Sequence, residues 1–167
     1  MDNKLNGLKE FLLKLCEEFE KNNVKYVIIG GFAVILYGYT RFTQDIDIMI
    51  DPSEDNLKKI KKILKDLFND DSFDEITSED FGKYSVIRYG TPNNFYIDFI
   101  VKIGEIADFE SIYKRKRRIN FQNSSISIID LNDLYKLKKD TVRDKDKIDS
   151  KFLEFLLKNK KESKNGI

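Results

Sequence analysis

The six residues Asp45-Ile46-Asp47-Ile48-Met49-Ile50 alternate with a period of two, the mark of a β-strand with two unlike faces. Asp45 and Asp47 leave one face of such a strand, while Ile46, Ile48 and Ile50 point the other way into a core. Asp is depleted in strands, and two carboxylates held side by side repel each other unless something compensates. Bound divalent cations are the simplest compensation. A wet sheet face with both acids solvated is the plainer alternative.

The composition narrows the chemistry further. The 167 residues contain no His and a single Cys, Cys16. Ser-His-Asp and Cys-His catalysis, His-ligated metals and an internal disulfide are therefore excluded. Catalysis would fall to carboxylates, Lys, Arg, Tyr or hydroxyls, with a metal that prefers oxygen ligands. Thirty basic residues balance 29 acidic ones, so global charge gives no argument for nucleic acid and only local patches could. A chain of this length buries roughly 70% of its unfolded surface and fits one domain.

The hydrophobic pattern places the elements. Leu5, Leu8, Leu12, Leu15, Cys16 and Phe19 recur at helical spacing, which predicts a helix over 3–22 with Cys16 as a small buried hydrophobe. Residues 24–29 read as a buried strand, 32–37 as a short helix, and 45–50 as the acid-bearing strand. A helix follows, with Ser53 as its N-cap and Leu57, Ile60, Ile63, Leu64, Leu67 and Phe68 inward. Residues 69–82 are acidic and turn-like. Strands at 84–89 and 95–102 flank a Gly-Thr-Pro-Asn-Asn turn, predicting an antiparallel hairpin. A helix over 108–118, a short strand at 126–129 and helices at about 131–141 and 145–158 complete the chain. The expectation is a single α/β (α+β) domain over 1–159, with a small mixed sheet flanked by helices. Its core spans about 24–129, its C-terminal helices about 130–159, and a polar tail 160–167. No apolar run reaches the roughly 20 residues needed to cross a bilayer, so a soluble, cytoplasmic protein with no membrane partner is expected.

Two further features carry chemistry. Gly30-Gly31 closes a strand and opens a helix, which lets backbone N–H groups approach an anion; paired glycines also simply make turns. Asp98 sits within Phe95-Tyr96-Ile97-Asp98-Phe99-Ile100-Val101. An acid in an apolar strand must be paired or bind metal to offset its desolvation.

Taken together, Val27-Ile28-Ile29-Gly30-Gly31, thirteen intervening residues, Asp45-Ile46-Asp47-Ile48 and then Ile97-Asp98-Phe99 resemble the signature of the DNA polymerase beta-type nucleotidyltransferase superfamily. Ala33, Gly38, Arg41 and Thr43 match a subgroup pattern within it. Leu134-Tyr135-Lys136-Leu137-Lys138 and Arg143-Asp144-Lys145-Asp146 resemble the C-terminal helices of small prokaryotic members, including abortive-infection toxin nucleotidyltransferases. The resemblance covers about residues 24–155 and implies the nucleotidyltransferase fold. It also implies transfer of a nucleoside monophosphate from an NTP, with ATP the expected donor, to an acceptor hydroxyl. Asp45, Asp47 and Asp98 would then be catalytic and hold Mg²⁺ or Mn²⁺, and the Gly30 and Gly31 amides would cradle the departing phosphates.

Arg41 and Thr43 could reach a phosphate, Arg41 being equally able to pair with the acids. Lys138, Arg143 and Lys145 could contact the triphosphate or lie on a solvated helix face. The basic run Lys114-Arg115-Lys116-Arg117-Arg118 could bind RNA or be a solvated helix end. The acceptor is left open between tRNA, a protein side chain and a small molecule, and an antitoxin or toxin partner and a homodimer are further expectations. The alternative is a non-catalytic nucleotide-binding or interaction module of the same fold, and beyond it a structural domain with fortuitous acids.

Overall fold

A computed structural model describes residues 2–121 and 124–165. The Leu5 side chain and residues 166–167 of the expected tail lie outside that description. The chain runs α1 (Asp2–Lys21), β1 (Tyr26–Ile28), α2 (Gly30–Leu36), β2 (Asp45–Ile50), α3 (Glu54–Phe68) and α4 (Ser78–Lys83). It continues with β3 (Val86–Gly90), β4 (Tyr96–Ile100), β5 (Lys102–Ile103), β6 (Ala107–Asp108) and α5 (Phe109–Arg115). Strands β7 (Arg117–Phe121) and β8 (Ser124–Ile128) and helices α6 (Leu131–Lys139) and α7 (Asp144–Asn165) complete it.

Six strands form one mixed sheet in the order β3-β4-β2-β1-β8-β7, with β5 and β6 as a separate two-stranded ribbon. Strand β2 is antiparallel to β1 and parallel to β4, and β8 is parallel to β1. Period-two alternation feeds both faces of this sheet. Ile28, Ile46, Ile48, Phe99 and Ile126 pack on one side with Leu8, Leu12, Leu15 and Phe19 of α1 and Leu57, Ile60 and Leu64 of α3. Val27, Ile29, Met49, Ile100 and Ile128 pack on the other with Phe109 and Ile112 of α5, Leu131 and Leu134 of α6 and Leu153 of α7. The acids of β2 share that second face, at the end of the sheet where the helices leave an opening.

Several local features depart from expectation. Ser53 stands at the N-cap of α3, but its hydroxyl makes no capping bond; its N–H donates instead to Asp51 Oδ1 at 3.0 Å. Asn69, left-handed at φ 51°, ends the helix. Within the acidic stretch expected to be turn-like, Thr77 and Asp80 form a reciprocal capping box that starts α4. The helix expected over 108–118 stops at Arg115, because Lys116 turns extended (φ −52°, ψ 152°). Residues 117–121 become β7, paired antiparallel with β8, with Ile119 opposite Ile126. Helix α7 continues past 158 to Asn165. No helix among the described residues is long and apolar enough to cross a membrane.

Candidate active site

Cross-strand register brings the acids together. Asp47 of β2 lies directly opposite Asp98 of β4, and Asp98 directly opposite Arg88 of β3. Parallel pairing of β2 with β4 aligns two residues 51 positions apart, and period two places Asp45 on the same side as Asp47. The three carboxylates, Gly30, Gly31 and Arg88 line a cleft of about 590 Å³, together with Arg41, Thr43 and residues of α6 and α7.

Gly30 is fixed by geometry. Its φ is +63°, and a Cβ there would fall 1.9 Å from Asp47 Oδ2. The Asp47 carboxylate therefore rests directly against the glycine backbone, close to the Gly31 N–H. Burial, together with Asp45 and Asp98 nearby, pushes the Asp47 carboxyl up to about 6, against the opposing pull of Lys138 and the Gly31 N–H. A Cβ on Gly31 would meet Thr43 Oγ1 at 2.8 Å. Thr43 is nearly buried and its hydroxyl donates to Asp45 Oδ1 at 3.3 Å, so it helps orient that acid.

Arg88 was not singled out by sequence, although the hairpin turn at 90–94 sets its register against Asp98. It donates from Nε to Asp98 Oδ1 and from a terminal nitrogen to Asp98 Oδ2, both at 2.7 Å, and reaches Asp45 Oδ2 at 3.4 Å. This fork matches carboxylate geometry and holds the guanidinium above its ordinary pKa. The buried Asp98 is thus satisfied by an arginine, one of the two alternatives posed for it.

The remaining candidates separate. Arg41 pairs with Asp149 of α7 rather than with Asp45 or Asp47. Lys138 is not on a solvated helix face: it is buried and bonded to Asp146 at 2.6 Å and Asp149 at 2.9 Å. Asp149, 1% exposed, therefore joins the loop before β2 to both C-terminal helices, a role its place in an ordinary charged helix gave no sign of. Arg143 and Lys145 are exposed at the cleft mouth. Four of the five residues of the basic run have partners within the protein, and Lys114 is exposed. Arg115 pairs with Asp133, Arg117 with Asp130 and Arg118 with Glu20, and Lys116 lies over the Tyr113 ring at 3.5 Å.

As a donor set for a divalent cation the residues fit. Three carboxylates face one cleft from two adjacent strands, and Asp47 is largely desolvated without an ion pair of its own among the described residues. They are not gathered into a cage: no group of three acidic or thiol side chains among the described residues is close enough to enclose an ion. Arg88 bridges Asp45 and Asp98 instead.

The fold has relatives among solved structures. A lincosamide antibiotic adenylyltransferase, LnuA, solved with lincomycin bound, superimposes with a TM-score of 0.56 at 17% identity, covering 92% of this chain and 96% of that one. The chain has the nucleotidyltransferase fold. A Thermotoga maritima protein described as a nucleotidyltransferase matches with a TM-score of 0.53 at 15% identity, covering 96% of this chain and 92% of that one. An antigenic nucleotidyltransferase-like protein from Paracoccidioides brasiliensis matches with a TM-score of 0.53 at 14% identity, over 89% and 76% of the two chains. The family described as aminoglycoside-2''-adenylyltransferase matches residues 11–87, a stretch that holds Gly30, Gly31, Asp45 and Asp47. No curated protein sequence gives a significant match.

Proposed function

We propose that this nucleotidyltransferase-fold protein moves a nucleoside monophosphate from an NTP to an acceptor hydroxyl, releasing pyrophosphate. The observation that carries the reading is the in-register row of Asp47 and Asp98, with Asp45 beside it and Gly30-Gly31 beneath it in one cleft. The acceptor oxygen forms a bond to the α-phosphorus while the bond from that phosphorus to the α,β-bridging oxygen breaks and pyrophosphate leaves. Mg²⁺ or Mn²⁺, when bound by Asp45, Asp47 and Asp98, would supply charge stabilisation at the attacking and leaving oxygens.

The chain's own groups do the rest. Thr43 orients Asp45, and the Asp98 carboxylate would take the acceptor proton. Arg143 and Lys145, exposed at the mouth, supply positive charge for the triphosphate, while Arg41 and Lys138 line the same cleft in ion pairs with Asp146 and Asp149. ATP is the proposed donor, in keeping with adenylyl transfer by the LnuA neighbour and the matched family.

Among acceptors, a hydroxylated small molecule is favoured. The LnuA neighbour is a lincosamide antibiotic adenylyltransferase and the matched family is described by an aminoglycoside, and three of the five residues of the basic run that could support RNA are engaged in ion pairs. The test is transfer of label from each α-labelled NTP, with Mg²⁺ or Mn²⁺, to an antibiotic panel, total tRNA or cell lysate. Transfer by the wild type and none by Asp45→Ala/Asp47→Ala is expected. Asp-dependent nucleotide binding without transfer to any acceptor would favour a binding module instead.

A further inference from the structure

Arg88 occupies an unusual place for a half-exposed arginine. Its two 2.7 Å bonds take one lone pair from each Asp98 oxygen, and its third contact, at 3.4 Å, falls on Asp45. Its charge thus sits between the same two carboxylates that the proposed reaction gives to a cation. Asp98 is 8% exposed and fixed in the sheet, whereas the Arg88 side chain is 53% exposed and comes from the edge strand β3. Only the arginine has room to leave. Tyr96, on the neighbouring strand and itself exposed, lies 5.2 Å from the guanidinium and offers a ring face on which it can rest.

We infer that Arg88 is a resident counter-cation of the Asp45–Asp98 pair, so that its bonds to these acids and divalent-cation binding at them exclude one another. The inference rests on the proposed metal-dependent reading and assigns that site a second, arginine-locked state. In this state the acids are neutralised without metal, and Asp98 is held where the ion will need it. A cation must first displace the fork, so apparent affinity is lowered by the fraction of molecules that are locked. The opposite role, a buttress that merely aims Asp98 at a bound ion, would make affinity fall when the arginine is removed. The two roles predict opposite signs.

Mn²⁺ alone, titrated into nucleotide-free protein and followed by the loss of its free electron-spin-resonance signal, separates them. Asp45→Asn/Asp98→Asn sets the background. Arg88→Gln is expected to bind Mn²⁺ on the order of tenfold tighter than wild type, the change for a site locked nine-tenths of the time. Arg88→Lys keeps the charge but cannot span both oxygens and falls between them; it carries the comparison if the Gln variant does not fold by circular dichroism. Equal or weaker binding by the folded variants overturns the inference while leaving the metal site in place. Failure of wild type and variants alike to bind Mn²⁺ above background overturns the metal reading itself, and this inference with it.

Discussion

Asp47 shows how one residue can set a folded protein against itself. Its carboxyl is raised to about 6 from an ordinary 3.8, first by burial and then by Asp45 and Asp98. Below pH 3.8 the group is protonated folded or unfolded and has no effect. As pH rises towards 6 the unfolded chain ionises first, so stability falls, and above 6 the full cost persists. That cost is at most about 3 kcal/mol, and the partial opening of the cleft lowers it to about 1–2 kcal/mol. Asp47→Asn is therefore expected to stabilise the metal-free protein in urea unfolding, with a gain that grows as pH rises from 3.8 to about 6 and levels off above. A gain independent of pH would contradict the origin given for the shift. Gly30 answers to the same carboxylate. Gly30→Ala places a methyl group against Asp47 Oδ2 and forces a side chain on to φ +63°, at a cost of about 1–3 kcal/mol. It is expected to displace the carboxylate, so Asp-dependent Mn²⁺ binding should weaken as well as stability in urea. Unchanged binding would show that the close approach is incidental.

At the scale of elements, the site depends on α6 and α7 as much as on the sheet. Asp149 of α7 holds Lys138 of α6 at 2.9 Å and Arg41 from the loop before β2. Neutralising it leaves two charges with one partner, Asp146, that reaches only Lys138. Breaking a buried ion group costs about 3–5 kcal/mol, so Asp149→Asn is expected to lose about 3 kcal/mol in urea unfolding and Asp146→Asn, nearer solvent, about 1 kcal/mol. Equal losses would refute the assignment of the link to Asp149. This network also marks the limit of what sequence could tell. Asp45, Asp47 and Asp98 were legible because acids in apolar, period-two strands conflict with local preference, and such conflicts stand out. Arg88, Asp149 and the burial of Lys138 were not, because a charged residue in a charged stretch looks the same whether it faces water or a partner 108 positions away, as Asp149 does for Arg41. Strand β7 was missed for a related reason. The basic residues that open it read as a helix end, and only pairing of Ile119 with Ile126 makes them a strand. Helix α4 was written in Thr77-Ser78-Glu79-Asp80, but the acidic surroundings masked its capping box.

For the whole molecule, the cleft lies on one face of the sheet, beside the second apolar layer. One layer covers its face of the sheet with α1 and α3; the other uses α2, α5, α6 and α7 and leaves the ends of β2 and β4 uncovered. Because Met49 and Ile100 belong to that second core and follow two residues after Asp47 and Asp98 on the same strands, the walls of the cleft and the core behind it are one packed unit. Loss of α7 would strip Leu153 from the core and Asp149 from the site together. A ligand that bridges sheet, loop and C-terminal helices therefore stabilises the fold as a whole rather than a single loop. Mg²⁺ with ATP at a hundred times its dissociation constant contributes about 2.7 kcal/mol to the folded state. For a chain of this size that corresponds to a rise in Tm of about 5–10 °C. The rise should need both metal and nucleotide, and Asp45→Asn should abolish it while leaving the unliganded Tm close to wild type, since Asp45 is partly exposed and its removal uncovers no core. A rise given equally by ATP without metal, or retained by Asp45→Asn, would place the nucleotide elsewhere on the molecule and leave the three acids without the role proposed for them.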